Sequence, residues 1–317
     1  MACWIRWPSA CAAEAVAERD LIARLLAPLA THSAARGLAD DAAVWAPPLG
    51  RHLVFSHDMM IEGVHFLATD HPADIAWKLA ACNASDLAAM GARPAGCLLA
   101  LGLSPHADAQ WQQAFVTGLQ QALSAFDLAL WGGDTSSSPV LALGMTVIGH
   151  VEPGQALSRS GAQAGDTLWL SGSIGDAGLG LAMARGEIPL EPFLLKRHHR
   201  PVPRLALGLS LAGHATACMD VSDGLLIDAG RLSAASGMAL HIRLEDLPLS
   251  PAARALGLSP LAAATSGDDY ELLFTAPSQL SFKATRIGNV RPGHGLHLTE
   301  NGHPIPLPSS LGWEHKV

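Results

Sequence analysis

The residues of this sequence best suited to chemistry are acids that lie beside glycines or at the ends of apolar runs. The stretch WGGDTSSSP, which begins at Trp131, places two glycines, an aspartate and several hydroxyl residues directly after an apolar run. Acids occupy comparable places at Asp40, Asp41, Asp58, Asp134, Asp176, Asp220, Asp223, Asp268 and Asp269. Carboxylates that meet at one edge of a sheet repel one another unless cations lie among them. The pattern therefore favours a site for divalent cations.

A further acid, Asp86, lies inside a predicted helix among the apolar residues of NASDLAAMG, which is unusual for a carboxylate. Mg²⁺ is commonly held by a few carboxylates together with the oxygens of a substrate phosphate. The chain has neither a Walker A motif nor a G-x-G-x-x-G fingerprint, and it is poor in lysine. A nucleotide enzyme without these devices would bind phosphate through metal ions, backbone N–H groups and a few arginines. Each acid could instead cap a helix or a turn, as Asp223 before GLLIDAG could.

The N-terminal half must position several of these acids. Its apolar spacing predicts a helix ending near Pro28, a strand in GRHLVFSHDMMIEG that runs into an acidic turn, and a helix in HPADIAWKLAACNASDLAAMGARP. A buried strand in CLLALGL, a helix in ADAQWQQAFVTGLQQALSAF, a strand followed by a loop in LALWGGDT and a strand in VLALGMTVIGHVE complete this half.

The C-terminal half repeats the alternation of strands and helices after a break near residues 150–156. DTLWLSGSIGDAGLGLAMARG and ATACMDVSDGLLIDAGRLSAASG each read as strand, turn and helix, and MALHIRL and YELLFTA read as strands. Asn301-Gly302 predicts a hairpin between two alternating runs. RHHRPVPR is interpreted as the start of a helix with solvated charges and no catalytic role. We expect two α/β units that pack directly on each other.

Composition excludes several classes of protein. The chain has 317 residues, of which 49% are apolar, so it can bury a sizeable core. Its formal charge of −8 argues against a nucleic-acid or anionic-membrane partner. We expect no signal peptide and no membrane span. The five cysteines are scattered without a C-x-x-C pair, which argues against disulfides and structural zinc and favours the cytoplasm. Most of the fifteen histidines are expected at surface or packing positions.

An ordered set of motifs resembles the thiamine-monophosphate kinase family from about residue 18 to the C-terminus. The motifs are GLADDAAV, SHDMMIEGVHF, NASDLAAMGARP, GGDT, LSRSGAQAGD, IGDAGLGL, RHHRPVPR, MDVSDGL and SGDDYELLF. The resemblance implies the two-domain α/β (α+β) fold of the aminoimidazole ribonucleotide synthetase superfamily. It implies an N-terminal sheet with helices over residues 1–150, which binds ATP and metal and dimerises, and a C-terminal α/β sandwich over residues 151–317.

The activity that this resemblance implies is ATP- and Mg²⁺-dependent phosphorylation of thiamine monophosphate to thiamine diphosphate by direct transfer of the γ-phosphoryl group. It assigns the several Mg²⁺ ions to Asp41, Ser56, His57, Asp58, Asp86, Asp134, Asp220 and Asp223. It assigns ATP to Gly133, Asp134, Arg159 and Ser222, with Asp134, Asp223 and Arg159 as the catalytic residues. It assigns thiamine phosphate to His65, Asp268 and Trp313.

The sequence departs from the family pattern at four places: Ala39 and Ser266 replace glycines, His57 replaces a threonine, and the SSSP after GGDT lacks a frequent arginine. None of these departures removes a carboxylate, so we expect activity. The alternatives are another ATP-cleaving member of the superfamily, which would act on an aminoimidazole precursor or selenide, and a nucleotide-binding relative without turnover. The absence of a reactive Cys or Lys in a Gly-rich N-terminal segment argues against selenide.

Overall fold

The computed structural model describes residues 18–314, so Cys3, Cys11 and the first 17 residues, where a signal peptide would lie, are outside the described residues. The N-terminal half forms a four-stranded sheet with helices packed on one face. Its elements are α1 Glu18–Leu21, β1 His52–Ile61, α2 Pro72–Ala89, β2 Arg93–Leu103, α3 Ala109–Phe126, β3 Ala129–Ser137 and β4 Ala142–Val151. The helical segment predicted to end near Pro28 continues after α1 as a π turn and a 3₁₀ turn that ends at Leu29.

Local signals account for the two long helices of this half. The side chain of His71 accepts a hydrogen bond from the amide of Ala73 at the start of α2, where Pro72 occupies the first turn. Asp108 caps α3 in the same way, by accepting from the amide of Trp111. Asp127 ends α3 in the left-handed conformation that Asp and Asn adopt more readily than most residues. Both helices therefore lie where the sequence predicts them.

The sheet has the strand order β1-β4-β2-β3, in which only β2 and β3 are parallel. Because side chains alternate along a strand, β1 presents two different faces. Val54 and Met60 pack into the core with α2, and Ser56 and Asp58 share their register. Phe55, which is 62% exposed, lies on the opposite face.

The C-terminal half is built on a seven-stranded mixed sheet of order β11-β10-β7-β9-β5-β8-β6, in which β10 and β7 are parallel. Its strands are β5 Thr167–Leu170, β6 Ala217–Val221, β7 Ala239–Arg243, β8 Glu271–Ala276, β9 Thr285–Arg291, β10 Leu296–Glu300 and β11 His303–Ile305. Its helices are α4 Asp176–Ala184, α5 Pro192–His199, α6 Leu205–Leu211, α7 Leu225–Ser236, α8 Pro251–Ala255 and α9 Pro260–Ala264. The predicted hairpin at Asn301-Gly302 joins β10 to β11.

Helix α2 joins the two halves, because it packs on the first sheet and also contacts α6, β6 and β8. The predicted two-domain α/β architecture is confirmed, with a four-stranded sheet in one half and a seven-stranded sheet in the other. Within residues 18–314, no helix is long and apolar enough to cross a membrane. Side chains at the C-terminal half of α2 consequently face the end of β6, where the candidate site lies.

Candidate active site

Four acids from both halves of the chain form a cluster beside α2. Asp58 lies on β1, Asp86 on α2, Asp220 on β6 and Asp223 in the turn that follows β6. Burial and the neighbouring charge of Asp86 raise the pKa of Asp58 to about 6 and that of Asp220 to about 7. The charge of Asp223 also raises the pKa of Asp58. The cluster is therefore a concentrated negative site, made across the junction of the two halves.

The NASD segment of α2 supplies the hydrogen bonds that hold this cluster. Ser56 on β1 donates its hydroxyl proton to the carboxylate of Asp86. Asn83 accepts a hydrogen bond of 2.9 Å from the backbone amide of Asp58, and the Ser85 hydroxyl donates to Asp220 at 2.8 Å. Asn83 and Ser85 were not among the predicted site residues. Asn83 lies three residues before Asp86, so helical spacing places it on the same face of α2. Ser85 is adjacent to Asp86, and spacing alone gave no signal for its contact with Asp220.

The turn between β6 and α7 is held by residues that were also not predicted. The Asp228 carboxylate accepts hydrogen bonds of 3.1 Å from the amides of both Ser222 and Asp223. Arg231 donates to Asp223 at 2.6 Å and to Asp228 at 2.7 Å. Burial raises the pKa of Asp228 to about 6, although the charge of Arg231 opposes the rise. Asp223 does not cap α7, because the cap position is Gly224 and it has no side-chain cap bond.

A buried lysine links two of the three residues assigned to thiamine phosphate. Lys78 of α2 donates to the Asp268 carboxylate at 2.8 Å and to the carbonyl oxygen of His65 at 3.2 Å. Burial alone would raise the pKa of Asp268, but the Lys78 ammonium holds it below its ordinary value. The third residue, Trp313, donates its amide to the carbonyl oxygen of Asp223 at 2.9 Å. Lys78 follows Ile75 by three residues on the buried face of α2, which was the available sequence signal.

Asp41 and Asp134 lie apart from the four-acid cluster. They line a cavity of about 680 Å³ together with Phe55, His57 and Gly133, on the face of the first sheet opposite α2. His57 bonds to Thr146 there at 2.8 Å. The structure thus brings together five of the eight predicted metal ligands, the four acids and Ser56, and places the other three, Asp41, His57 and Asp134, around a separate cavity.

Three of the acids expected in turns, Asp58, Asp134 and Asp220, lie inside strands. Strand β3 runs on to Ser137, so SSSP begins as part of an edge strand and not as a loop. A side chain at Gly133 is excluded by β2, because a Cβ atom there would lie 1.8 Å from the carbonyl oxygen of Leu99. The close approach that this glycine permits is therefore one between two strands.

Arg159 is exposed, and its charge opposes the effect of burial on the pKa of Asp86, which is raised overall. Among the positions that depart from the family pattern, Ala39 has an ordinary right-handed backbone, with φ of −97°. The Ser266 hydroxyl donates to the carbonyl oxygen of Ala262 at 3.0 Å. Neither substitution strains the backbone that carries the acids.

Some expectations about charged residues are wrong. The RHHRPVPR segment is not the start of a helix, because its first three residues end α5. Its charges are not all solvated either, since Arg197 and His198 are buried. Asp176 and Asp269 do not join the cluster. Asp176 accepts from Ser250 at 2.6 Å, and Asp269 accepts from the amide of Gly175 at 2.7 Å. Those contacts satisfy buried carboxylates, as structural acids require.

The donor chemistry of the cluster fits hard divalent cations. Its carboxylates and the Ser56 hydroxyl are the oxygen ligands that Mg²⁺ prefers. Burial first and mutual repulsion second raise the pKa values of Asp58 and Asp220, and a bound cation offsets both effects. Among the described residues, a compact group with all donor atoms within 4.8 Å of one another occurs elsewhere, at Asp70, His198 and His199. The donor atoms of the four acids are therefore more widely spaced than those of that group. Such an arrangement leaves coordination positions for water and phosphate oxygens.

Binding of Mg²⁺ to the cluster should strengthen as pH rises from about 5 to 7.5. The carboxyl pKa values of about 6 at Asp58 and about 7 at Asp220 exceed the unfolded value of about 3.9. Between about pH 4 and pH 7, the folded protein without metal therefore binds more protons than the unfolded chain does. The stability that these groups contribute is therefore present below pH 4 and lost as pH rises through 6 and 7. Bound cation offsets that loss. Calorimetry in two buffers should detect proton release on Mg²⁺ binding at pH 6, and none would contradict these shifts.

Comparison with known proteins defines the class and then the family. Residues 39–151 match the family model described as AIR synthase related protein, N-terminal domain, and residues 163–297 match that of its C-terminal domain. The fold and the acids between its halves thus define an AIR synthase-related protein. Thiamine-monophosphate kinase from Caulobacter vibrioides is 39% identical over 94% of this chain and 90% of its own length. The chain belongs to the thiamine-monophosphate kinase family.

Two solved structures support the same assignment. The crystal structure of thiamine-monophosphate kinase from Stenotrophomonas maltophilia K279a has a TM-score of 0.81 and 41% identity, covering 92% of this chain and 98% of that one. The structure described as AaThiL complexed with AMPPCP and TMP has a TM-score of 0.78 and 32% identity, covering 87% of this chain and 91% of that one.

Proposed function

We propose that this chain transfers the γ-phosphoryl group of ATP directly to the phosphate of thiamine monophosphate, which gives thiamine diphosphate and ADP. The observation that carries the proposal is the four-acid cluster between the two halves of a family member, with Asp268, His65 and Trp313 around the adjoining turn. Donor and acceptor are both polyanions, so a site for their reaction must offset repulsion and align an in-line attack.

The proposed ligands of Mg²⁺ are Asp58, Asp86, Asp220, Asp223 and Ser56 in the cluster, with Asp41, Asp134 and His57 around the separate cavity. Bound Mg²⁺ would neutralise phosphate charge and favour the in-line geometry. The chain itself contributes orientation, because Asn83, Ser85 and Arg231 fix the acids before substrate arrives.

The residues proposed for ATP are Gly133, Asp134, Arg159 and Ser222. Asp134, Asp223 and Arg159 are the proposed catalytic residues. Arg159 can place a forked donor beside phosphate oxygens, and its exposed position near Asp86 leaves it accessible to a nucleotide.

At the acceptor end, His65, Asp268 and Trp313 are proposed to bind thiamine phosphate. Asp268 has its carboxylate kept ionised by Lys78, which suits contact with a cationic or hydrogen-bond-donating ring. Trp313 is 55% exposed and offers an aromatic face to a thiazolium or pyrimidine.

Replacing Trp313 by alanine should raise KM for thiamine monophosphate about 5- to 30-fold, with a smaller loss in kcat. A cation–π contact of about 1–2 kcal/mol corresponds to that range. KM for ATP should stay within twofold, and Trp313→Phe should recover most of the affinity. Initial-rate kinetics with each substrate varied will test this. An unchanged acceptor KM in Trp313→Ala would show that the indole serves packing alone.

We propose residues 1–150 as the ATP- and metal-binding and dimerisation domain, residues 151–317 as the C-terminal domain, and a homodimer as the working form. The outer face of the first sheet presents a row of exposed apolar side chains at Leu53, Phe55, Met59 and Leu98. An apolar sheet face of this kind is characteristic of an interface between protein chains.

Met59→Glu should shift the protein from dimer to monomer at micromolar concentration, because it buries a charge in the proposed interface. Leu49→Glu is the matched control, since Leu49 is 99% exposed and lies outside the strands. Light scattering during size-exclusion chromatography gives the mass directly. A dimer that persists in Met59→Glu would exclude this face as the interface.

We also propose a cytoplasmic location, without a nucleic-acid or membrane partner. The negative formal charge of −8 disfavours both polyanionic partners. The cysteines of residues 18–314 are free and buried at Cys82, Cys97 and Cys218, as suits a reducing compartment.

An acceptor panel separates this proposal from its rivals. ADP release should require Mg²⁺ and thiamine monophosphate together, and should stay at background with an aminoimidazole precursor or with selenide. Release driven by a rival acceptor would assign another superfamily activity. Nucleotide binding without release for any acceptor would identify a non-catalytic relative.

A further inference from the structure

A second group of potential metal ligands lies where the loop before α2 meets the end of α5. One carboxylate oxygen of Asp70 and one ring nitrogen from each of His198 and His199 all lie within 4.8 Å of one another. Asp70 belongs to the N-terminal half and the two histidines to the C-terminal half. The group is distinct in chemistry from the four-acid cluster, because two of its three donors are imidazole nitrogens.

His198 is the unexplained member of this group. Its side chain is 1% exposed, and neither ring nitrogen has a hydrogen-bond partner. The nearest carboxylate outside the group is that of Asp268, at 3.7 Å from Nδ1, which is too far for a hydrogen bond. Burial and the charge of Lys78 lower the pKa of His198 to about 3, so the ring is neutral and keeps a free lone pair. A buried donor and acceptor pair left unsatisfied calls for a missing ligand.

The other two members are already oriented. The amide of Leu67 donates to Asp70 Oδ2 at 2.8 Å, which leaves Oδ1 facing His199 Nε2 at 3.2 Å. His199 Nδ1 lies 3.9 Å from the carboxylate of Asp74. That distance is too long for a hydrogen bond, but it places a second negative charge beside the imidazole of His199.

We propose that Asp70, His198 and His199 form a Zn²⁺ site that links the two halves of the chain. Two neutral imidazoles and one carboxylate suit zinc, with a fourth position open to water. Tetrahedral bonds of about 2.0–2.1 Å place donors roughly 3.4 Å apart, so donors that lie within 4.8 Å of one another need to close by at most about 1.4 Å.

The surrounding charges permit a cation at this place. Two cations face the group, and each is already paired: Lys78 with Asp268, and Arg200 with Asp74. The carboxylate of Asp70 is therefore available to the metal. Because the ligands come from both halves, bound Zn²⁺ would hold the loop before α2 against α5.

The test is a titration of chelator-treated protein with Co²⁺, a spectroscopic substitute for Zn²⁺, in millimolar Mg²⁺ that occupies the oxygen sites. We expect one equivalent to give the intense visible absorption of a four-coordinate site, and one equivalent of Zn²⁺ to remove it. His199→Gln and Asp70→Asn should weaken binding at least 10-fold. His294→Ala, at an exposed histidine outside the group, should leave it unchanged.

The partly exposed position of His199 keeps the test independent of folding, since its replacement leaves the buried core intact. Absorption that survives in both His199→Gln and Asp70→Asn would overturn the proposed site, and so would its absence in the wild-type protein. Loss of absorption in Asp86→Asn instead would place the Co²⁺ in the four-acid cluster and also overturn it. Kinase activity is not the readout, so the outcome is independent of the proposed reaction.

Discussion

Replacing Asp86 by asparagine is expected to lower kcat at least ~100-fold, because it removes one charge from the centre of a metal cluster. Asp86 interacts with most of the cluster. Its charge raises the pKa of both Asp58 and Asp220, and the Ser56 hydroxyl donates a hydrogen bond to its carboxylate. Steady-state kinetics at saturating ATP and thiamine monophosphate give the comparison. Higher Mg²⁺ should recover part of the lost rate, since the variant binds the cation more weakly.

The thermal stability of Asp86→Asn should not fall with its activity. Without Mg²⁺ at pH 7, Asp86→Asn should unfold at the same temperature as the wild type or a higher one, because repulsion among buried acids is relieved. Asp127→Asn is the matched control, since Asp127 is an exposed acid whose left-handed backbone asparagine also tolerates. A normal kcat in Asp86→Asn would show that the cluster does not bind a catalytic metal.

Replacing Glu271 by glutamine is expected to lower the free energy of unfolding by about 3–5 kcal/mol, because it removes the carboxylate that the buried Arg197 and the partly buried Arg204 share. Glu271 is fully buried on β8. It accepts from Arg197 at 2.9 Å, from Arg204 at 2.6 Å and from the Ser171 hydroxyl at 2.5 Å. This carboxylate ties α5 and the segment before α6 to the second sheet.

Urea unfolding of Glu271→Gln should show the loss as a lower midpoint with an unchanged slope. Glu187→Gln provides the surface comparison: its side chain is 58% exposed and lies 4.0 Å from Arg185, so its effect should stay within about 0.5 kcal/mol. A loss below about 1 kcal/mol in Glu271→Gln would mean that water or a nearby group satisfies the arginines. The buried network would then have little part in stability.

The elements of the fold follow from local sequence, and for that reason they could be predicted. Apolar residues spaced three and four apart, with capping residues at His71 and Asp108, identify α2 and α3. The Asn301-Gly302 pair identifies the final hairpin. The turn between β6 and α7 is also local, which is why Asp220 and Asp223 fall beside each other as expected.

The partners of the charged residues could not be predicted, because they depend on how distant segments pack. Because side chains alternate along β1, Asp58 faces α2 and His57 lies on the other face of the sheet, although the two are neighbours in sequence. The burial of Arg197 depends on Glu271, which lies 74 positions away along the chain. Likewise, nothing local to Lys78 identifies Asp268 as its counter-charge.

The most direct test of direct phosphoryl transfer is to follow the labelled γ-phosphate of ATP in a single reaction with thiamine monophosphate and Mg²⁺. The account predicts that the label appears in thiamine diphosphate, with one ADP formed for each molecule of product, and that omission of either Mg²⁺ or thiamine monophosphate abolishes both. Label that appears only as inorganic phosphate, or ADP formed without thiamine diphosphate, would contradict it.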